Sequence, residues 1–566
     1  MEKKLNLKLK NDINFSELSF VDWFMLVSPF LVGLYFDWLG CLCSVIFTAV
    51  LIAKYYKNRK LVLPINLTSI TLLVIVLGYI LSCFWAIDSY EAFFGILKFM
   101  PIVPFYLIVS QYDDEKKSGF LDSIPYSGAI MTVISLALKP WYTFRYYFYN
   151  GGRMTGLFQY ANAFAIFLLV GIIILLLNRK LSVINIAVLI ALIAGIFLSG
   201  SRTVFVLTVL FVAAICIYKK ETRKYAIPSF LVILGIVVAV ALISGKTGVA
   251  TRFLSTSLAQ SSFLGRLLYY KDALPVIVKK PFGLGYLGYY YYQSEFQTGR
   301  YIVRYIHNDF LQIFVDTGII PGVLFIASVI KNLISKRTPV TYKFVIAAIS
   351  MHCMLDFDLQ YLVIFFILIT AMSFDKKREI IIKKPWKRTF CFFSAVKALV
   401  CMYFCVALCL YTFGYSEQSY KMYDKNTEIQ IEILKNSTTA QDISRAAYNI
   451  LSHNKNVAMA YDAQARVAEA YGKYDSMIEL KKKAVSVAKF NAFEYTDYYN
   501  LLKESIEKSE ENGDIRSREV CVRAIKEIPI MIRQTLDETD PLAWKIEEKP
   551  NIELDKEKTE YINNLH

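Results

Sequence analysis

Residues 265–322 read GRLLYYKDALPVIVKKPFGLGYLGYYYYQSEFQTGRYIVRYIHNDFLQIFVDTGIIPG, and this stretch decides how the rest of the chain is understood. It is polar, basic and rich in tyrosine, and it separates two long apolar runs. Connections between packed helices stay short unless they have work to do, so a linker of this size marks function. It also carries His307, one of two histidines in the apolar part of the chain. An imidazole set among arginines suits acid–base work beside an anion.

Working outward, apolar runs of bilayer-crossing length recur from Phe20 to Tyr415 in a chain of 566 residues that is 56% hydrophobic, with a mean hydropathy of +0.41. No water-soluble core needs so many all-apolar segments. The expected fold is an all-α polytopic membrane protein with about 13 transmembrane helices and a C-terminal α-helical, tetratricopeptide-like soluble domain. Among the spans, the first is placed at 20–37, the fourth at 93–111, the ninth at 226–243 and the tenth at 309–333. The eleventh to thirteenth fall at 341–356, 358–374 and 391–413, with a re-entrant hairpin as the alternative around Asp356–Asp358. The expected domains are an N-terminus (1–19), a membrane domain (20–414) with a large loop at 244–308, a helical domain (415–544) and a flexible charged end (545–566).

The net charge of +16 does not indicate nucleic acid, because of where it lies. Residues 1–414 carry 41 Lys+Arg against 20 Asp+Glu, a net of +21, whereas residues 415–566 carry 22 against 27, a net of −5. Of those 41 basic residues, 27 sit in the N-terminus and in alternate loops such as KYYKNRK (54–60), KKETRK (219–224) and DKKREIIIKKPWKR (375–388). Positive loops stay in the cytoplasm. With thirteen spans the N-terminus is then cytoplasmic, and the large loop and the whole tail lie outside a plasma membrane. Lys98 and Lys397 fall within apolar runs and are read as snorkelling to an interface. The ten cysteines show no metal-ligand spacing, and neither a cofactor nor a metal is expected.

In the tail, AMAYDAQARVAEAYGKYDSMIELKKKAVSVAKFN (458–491) has the small-residue and Gly-Lys-Tyr pattern of a helical repeat, a surface for a protein partner. The candidate chemistry lies before it. Arg153, Arg202, Arg266 and Arg304 fall at the outer edge, and arginine binds phosphate oxygens through two N–H groups at once. Asn308 follows His307 at the mouth of the tenth span. Arg266 to Val278 is expected as an interfacial helix limited by Pro275, with Leu267, Leu268 and Val276–Val278 toward lipid. Tyr289 and Tyr290, in a run of four tyrosines, serve either as an interfacial belt or as a platform for stacking sugars. His352 and Asp356 are four apart and share a helix face, where the carboxylate would orient the arginines; with Asp358 they offer a divalent-cation site as the alternative.

Taken together, GRMTGLFQYANAFA (152–165), SGSR (199–202), GR followed by PFGLGYLGY (265–289) and HNDFLQIFVDTGIIPG (307–322) resemble the O-antigen ligase and polymerase superfamily. The resemblance covers about residues 150–375. It implies a metal-independent, inverting glycosyltransferase of the bacterial plasma membrane that uses an undecaprenyl-diphosphate-linked glycan as donor and a glycan, lipid or protein acceptor. By motif position, Arg202 and Arg266 would hold the diphosphate, His307 would activate the acceptor hydroxyl, and Arg153, Arg304, Asn308, Tyr289, Tyr290, His352 and Asp356 would line the substrate. The large outer tail is a departure from typical ligases and points away from lipid A, toward a wall or capsular polysaccharide or a glycoprotein. The alternative function is a transporter or flippase of lipid-linked oligosaccharide, which predicts ionisable groups near mid-membrane.

Overall fold

Backbone groups in an apolar run have no water to bond, so each run closes its hydrogen bonds on itself as a helix. In the computed structural model, which describes residues 18–180, 182–229, 231, 235, 261–375, 378–382 and 387–565, the chain follows that rule. Among the described residues, Asp37–Asn58, Ser89–Ser110, Ala161–Asn178 and Cys391–Thr412 are long and apolar enough to cross a membrane, and eight shorter apolar helices accompany them, as a multi-pass membrane protein requires. The ninth expected span (226–243), the N-terminal lysines and the first part of the large loop (244–260) lie wholly or mostly outside the described residues.

Several spans are shorter or more broken than hydropathy predicts. The run at 20–37 contains only Phe20–Val27 as α-helix, opened by a Ser19–Asp22 capping box, and then passes into 3-10 turns at Pro29 and Gly33. The run at 93–111 divides at Met100–Pro101 into Ser89–Phe99 and Ile102–Ser110, since proline has no N–H to continue the ladder. The run at 309–333 divides at Gly318, whose φ of +98° ends Asp309–Thr317 and starts Ile319–Ile334 on a new axis. The eleventh helix, Val340–Cys353, stops before Asp356, and the next begins only at Leu362.

Ala161–Asn178 is buried on nearly every side and forms the centre of the bundle, against Ile124–Leu138, Val183–Ser199, Arg202–Tyr218 and Val340–Cys353. Lys98 does not snorkel. Its side chain is 1% exposed, 3.1 Å from Asp37 and 2.9 Å from the Tyr35 carbonyl, so burial is offset by a paired carboxylate.

At the basic end, Leu61–Ile65 pairs antiparallel with Arg378–Ile382, which joins two of the lysine-rich loops. Lys117, in the short turn of helix Asp114–Lys117 that follows Ile102–Ser110, is buried, bonding the Ser373 carbonyl at 3.1 Å and Asp114 at 3.0 Å. At the other end the tail folds back onto the large loop. Its helices run in sequential hairpins from Ser416–Met422 to Ile515–Asp537. The end expected to be flexible is helical at Lys556–Asn564, where Ile562 is buried against the tail's core. The tail is fastened at several points. The Thr427 N–H donates to Glu91 at 2.8 Å, Asn454 donates to Asp88 at 2.8 Å, and Asp540 N–H donates to the Thr298 carbonyl at 2.8 Å. Ala543 and Ile546 pack against Leu268 and Tyr301 in a small apolar cluster.

Candidate functional site

Asp356 lies in the turn after Val340–Cys353 and is 0% exposed. A carboxylate buried so completely needs donors on every side. It has five. The Tyr160 hydroxyl lies 2.9 and 3.0 Å from its two oxygens, and the Asn162 amide donates at 2.7 Å. The Phe357 N–H donates at 3.0 Å, and Arg266 Nη2 at 3.3 Å. His307 Nδ1 is 3.1 Å away. Burial alone would raise the Asp356 carboxyl, but the Arg266 guanidinium and then His307 outweigh it and hold it below the usual carboxylate range.

Local sequence explains how each partner arrives. Arg266 sits on Ser261–Lys279, which runs through Pro275 rather than ending there. Leu268 and Val276 on that helix are buried beneath the tail and loop instead of facing lipid, because Tyr301, Ala543 and Ile546 cover the former and the loop's own core takes the latter. His307 has a φ of +57°, a left-handed conformation uncommon for a side-chain-bearing residue. It is held there from both sides. The Tyr270 hydroxyl donates to its carbonyl at 2.6 Å, and the Met354 carbonyl oxygen lies 3.1 Å from the same hydroxyl. Asn308 caps Asp309–Thr317 by accepting from the Leu311 N–H, and its amide donates to the same Met354 carbonyl at 3.1 Å. The loop is thereby stitched to the Asp356 turn.

The glycine-rich segment 281–286 braces this loop from below. Leu284 N–H donates to the Val315 carbonyl at 2.7 Å, and Ile319 N–H donates to that of Pro281 at 2.9 Å. A Cβ on Gly283, where φ is +86°, would stand 2.5 Å from the Asp316 carbonyl oxygen. Gly283→Ala is therefore expected to cost about 1–3 kcal/mol from its backbone conformation alone, before the clash is counted. The check is thermal unfolding of purified protein, where a melting temperature equal to wild type would show the brace to be dispensable.

The expected residues fall into distinct places. His307, Arg266 and Asp356 meet directly, and Asn308 lies beside them. Arg153 joins through Asn162, donating to its amide oxygen at 2.7 Å, and its Nε donates to the Ser199 carbonyl at 2.7 Å. That second bond ties in the turn where Arg202 opens Arg202–Tyr218. Arg304 belongs elsewhere, paired with Glu428 of the tail. Tyr289 is fully buried in the loop's apolar core, so it is packing and no platform, while the half-buried Tyr290 borders a cavity under the tail. His352 does not share a face with Asp356, because the helix ends between them; its Nδ1 is 2.6 Å from Asp358 instead.

Tyr160, Asn162 and Tyr270 are central to the geometry and were not singled out by the sequence. The available signal for two of them was a polar pair, Tyr160 and Asn162, opening an otherwise apolar helix. Asp309, Cys353 and Asp358 each bring one ligand atom within 4.8 Å of the others, and this buried group is the place among the described residues that fits a cation. It is distinct from the Asp356 cluster.

Residues 186–326 match the family model described as O-Antigen ligase. The matched segment contains Arg202, Arg266, Arg304, His307 and Asn308, and it stops short of Asp356 and of the tail. No curated protein and no solved structure matches the chain.

Proposed function

We propose that the chain is a membrane glycosyltransferase of the O-antigen ligase kind, which moves a glycan from an undecaprenyl diphosphate to an acceptor hydroxyl at the outer face of a bacterial plasma membrane. The observation that carries this is one buried carboxylate, Asp356, in contact with both an imidazole and a guanidinium. With Asp356 ionised, Nδ1 of His307 is the protonated nitrogen and donates to it. Nε2 then presents a lone pair to the acceptor. It takes the hydroxyl proton as the oxygen attacks the anomeric carbon from the face opposite the leaving group.

The bond from that carbon to the diphosphate breaks, and its electron pair leaves with the diphosphate. Arg266 spends one N–H on Asp356 and has others for phosphate oxygens, with Arg202 as second cation. Asp356 is a positioning residue, since it is too buried to touch substrate. Charge on the leaving group is met by arginine, so no metal is assigned to the reaction. The sequential hairpins of 415–544 are read as tetratricopeptide-like and as the surface that selects the acceptor or a partner protein.

In reconstituted membranes with lipid-linked donor, His307→Ala and Arg266→Ala are each expected to lower glycan transfer by about 10²–10⁴-fold. Arg266→Lys restores part of it, because a point charge replaces a fork. Unchanged transfer in His307→Ala would remove the proposed base. Donor accumulating on the inner leaflet of a deletion strain, instead of the outer, would favour the flippase.

A further inference from the structure

The Tyr270 hydroxyl and the Asp356 turn hold His307 from one side, and a second set of bonds reaches it from the packed interior. The residue before it, Ile306, is fully buried, and its N–H donates to Oε1 of Gln312 at 2.9 Å. The same side chain turns its Nε2 to Asp316, donating to Oδ1 at 2.8 Å. The other oxygen of Asp316 accepts from the Tyr79 hydroxyl at 3.1 Å. Gln312, Asp316 and Tyr79 are all buried.

Chemistry fixes the order of these bonds. A glutamine amide has donors on nitrogen and an acceptor on oxygen, and it can point either way unless a neighbour chooses. Asp316 receives donors on both oxygens, so it takes the amide nitrogen and leaves the amide oxygen for Ile306. Turned over, the amide would set N–H against N–H at Ile306 and oxygen against oxygen at Asp316. Asp316 is steadied in turn. Tyr79 stacks on Phe99, with ring centroids 4.7 Å apart and planes at 8°. Its helix, Leu67–Ser82, lies so close to Thr317 that a Cβ on Gly78 would stand 2.7 Å from the Thr317 Cβ. Gln312 and Asp316 are one turn apart on Asp309–Thr317, the helix that Asn308 caps.

The φ of +57° at His307 is one that a residue with a Cβ seldom adopts. Such a conformation persists only where its surroundings over-determine it. Tyr270 holds the carbonyl of His307, and Gln312 holds the N–H of the residue before it. We infer that Gln312, locked by Asp316 and Tyr79, is a positioning residue that acts through the Ile306 backbone to aim the His307 ring. The inference rests on the glycosyltransferase proposal for what His307 does, whereas the bonds it names are measurable without turnover.

The test uses the full-length chain. Hydrogen exchange in detergent, read by mass spectrometry on the peptide 303–309, reports the Ile306 N–H. Glycan transfer is followed in vesicles made from the lipids of a deletion strain, which supply the accumulated donor. Wild type is expected to protect the Ile306 N–H. Gln312→Met keeps the length of the side chain and loses both bonds; it is expected to lose that protection and about tenfold in kcat, with the donor KM within about twofold. Gln312→Asn keeps an amide but is one methylene too short to reach both partners, and it serves as the milder variant should Gln312→Met not fold. Its kcat is expected to fall about fivefold. Gln312→Glu combined with Asp316→Asn exchanges the polarity of the pair. The carboxylate then accepts from Ile306 and from the amide at position 316, whose oxygen accepts from Tyr79. Protection is expected to return, and kcat to come within about threefold of wild type. Wild-type kcat in a folded Gln312→Met or Gln312→Asn overturns the inference, as does an exchanged pair as slow as Gln312→Met. Protection that is lost and regained across the variants, in a chain that transfers nothing, leaves the bonds standing and removes the glycosyltransferase proposal instead.

Discussion

Asp356→Asn lowers glycan transfer by about 10²–10⁴-fold while the protein still inserts and folds. The amide keeps the volume of the carboxylate, so packing in the turn is preserved. Its chemistry is not. Both oxygens of Asp356 accept, Oδ1 from Phe357 N–H with His307 also on it, and Oδ2 from Asn162 and Arg266. An asparagine turns one of those acceptors into a donor, facing either the imidazole or the guanidinium. The histidine then loses the partner that fixes its tautomer, and the arginine loses its counter-charge. The expected signature is a fall in kcat with little movement of the acceptor KM, because Asp356 does not touch substrate. Asp356→Ala goes further and lowers the yield of folded protein, since Arg266 is left without its buried partner. A wild-type kcat in Asp356→Asn would show that the cluster is merely structural.

The second large effect follows from how the tail is attached. Removal of residues 415–566 is expected to abolish transfer and to open the large loop to protease, with trypsin cutting at Arg266 and Lys271. Asp88 and Glu91, 1% and 2% exposed in the intact chain, lose Asn454 and the Thr427 N–H. Leu268 and Tyr301 lose their cover of Ala543 and Ile546, and Lys271 loses Asp540. Exposed apolar surface of this kind leads to association, so the truncated chain should also run as aggregates on size exclusion. Limited trypsin digestion of both forms decides it; a loop equally resistant without the tail would show that the loop holds itself.

Much of the fold is legible in the sequence because hydropathy is a local property. The apolar runs, the change of composition near Ser416 and the clustering of basic loops each needed only neighbouring residues. The breaks were harder. Gly318 interrupts a run whose hydropathy continues past it, and only a φ of +98° shows the turn. His352 was paired with Asp356 on helical spacing, which fails because Val340–Cys353 ends one residue after the histidine.

Candidate chemistry was half legible. The residue types and their order singled out His307 and Arg266. The centre was not visible, since Asp356 gathers partners 49, 90, 194 and 196 residues away along the chain, and no local pattern records such distances. Arg304 and Tyr289 show the converse. Both sit in the right stretch, and tertiary packing assigns them to other work.

The ladder between Leu61–Ile65 and Arg378–Ile382 has a kinetic meaning. A carrier that exposes its cargo alternately to the two sides of a membrane must let one half of its bundle rock against the other. Here a strand preceding the third apolar helix is zipped to one preceding the last, and the tail clamps the opposite end. Latched at both poles, the bundle carries two ties that such rocking would have to break, which counts against a carrier and favours a site that substrates reach by diffusion.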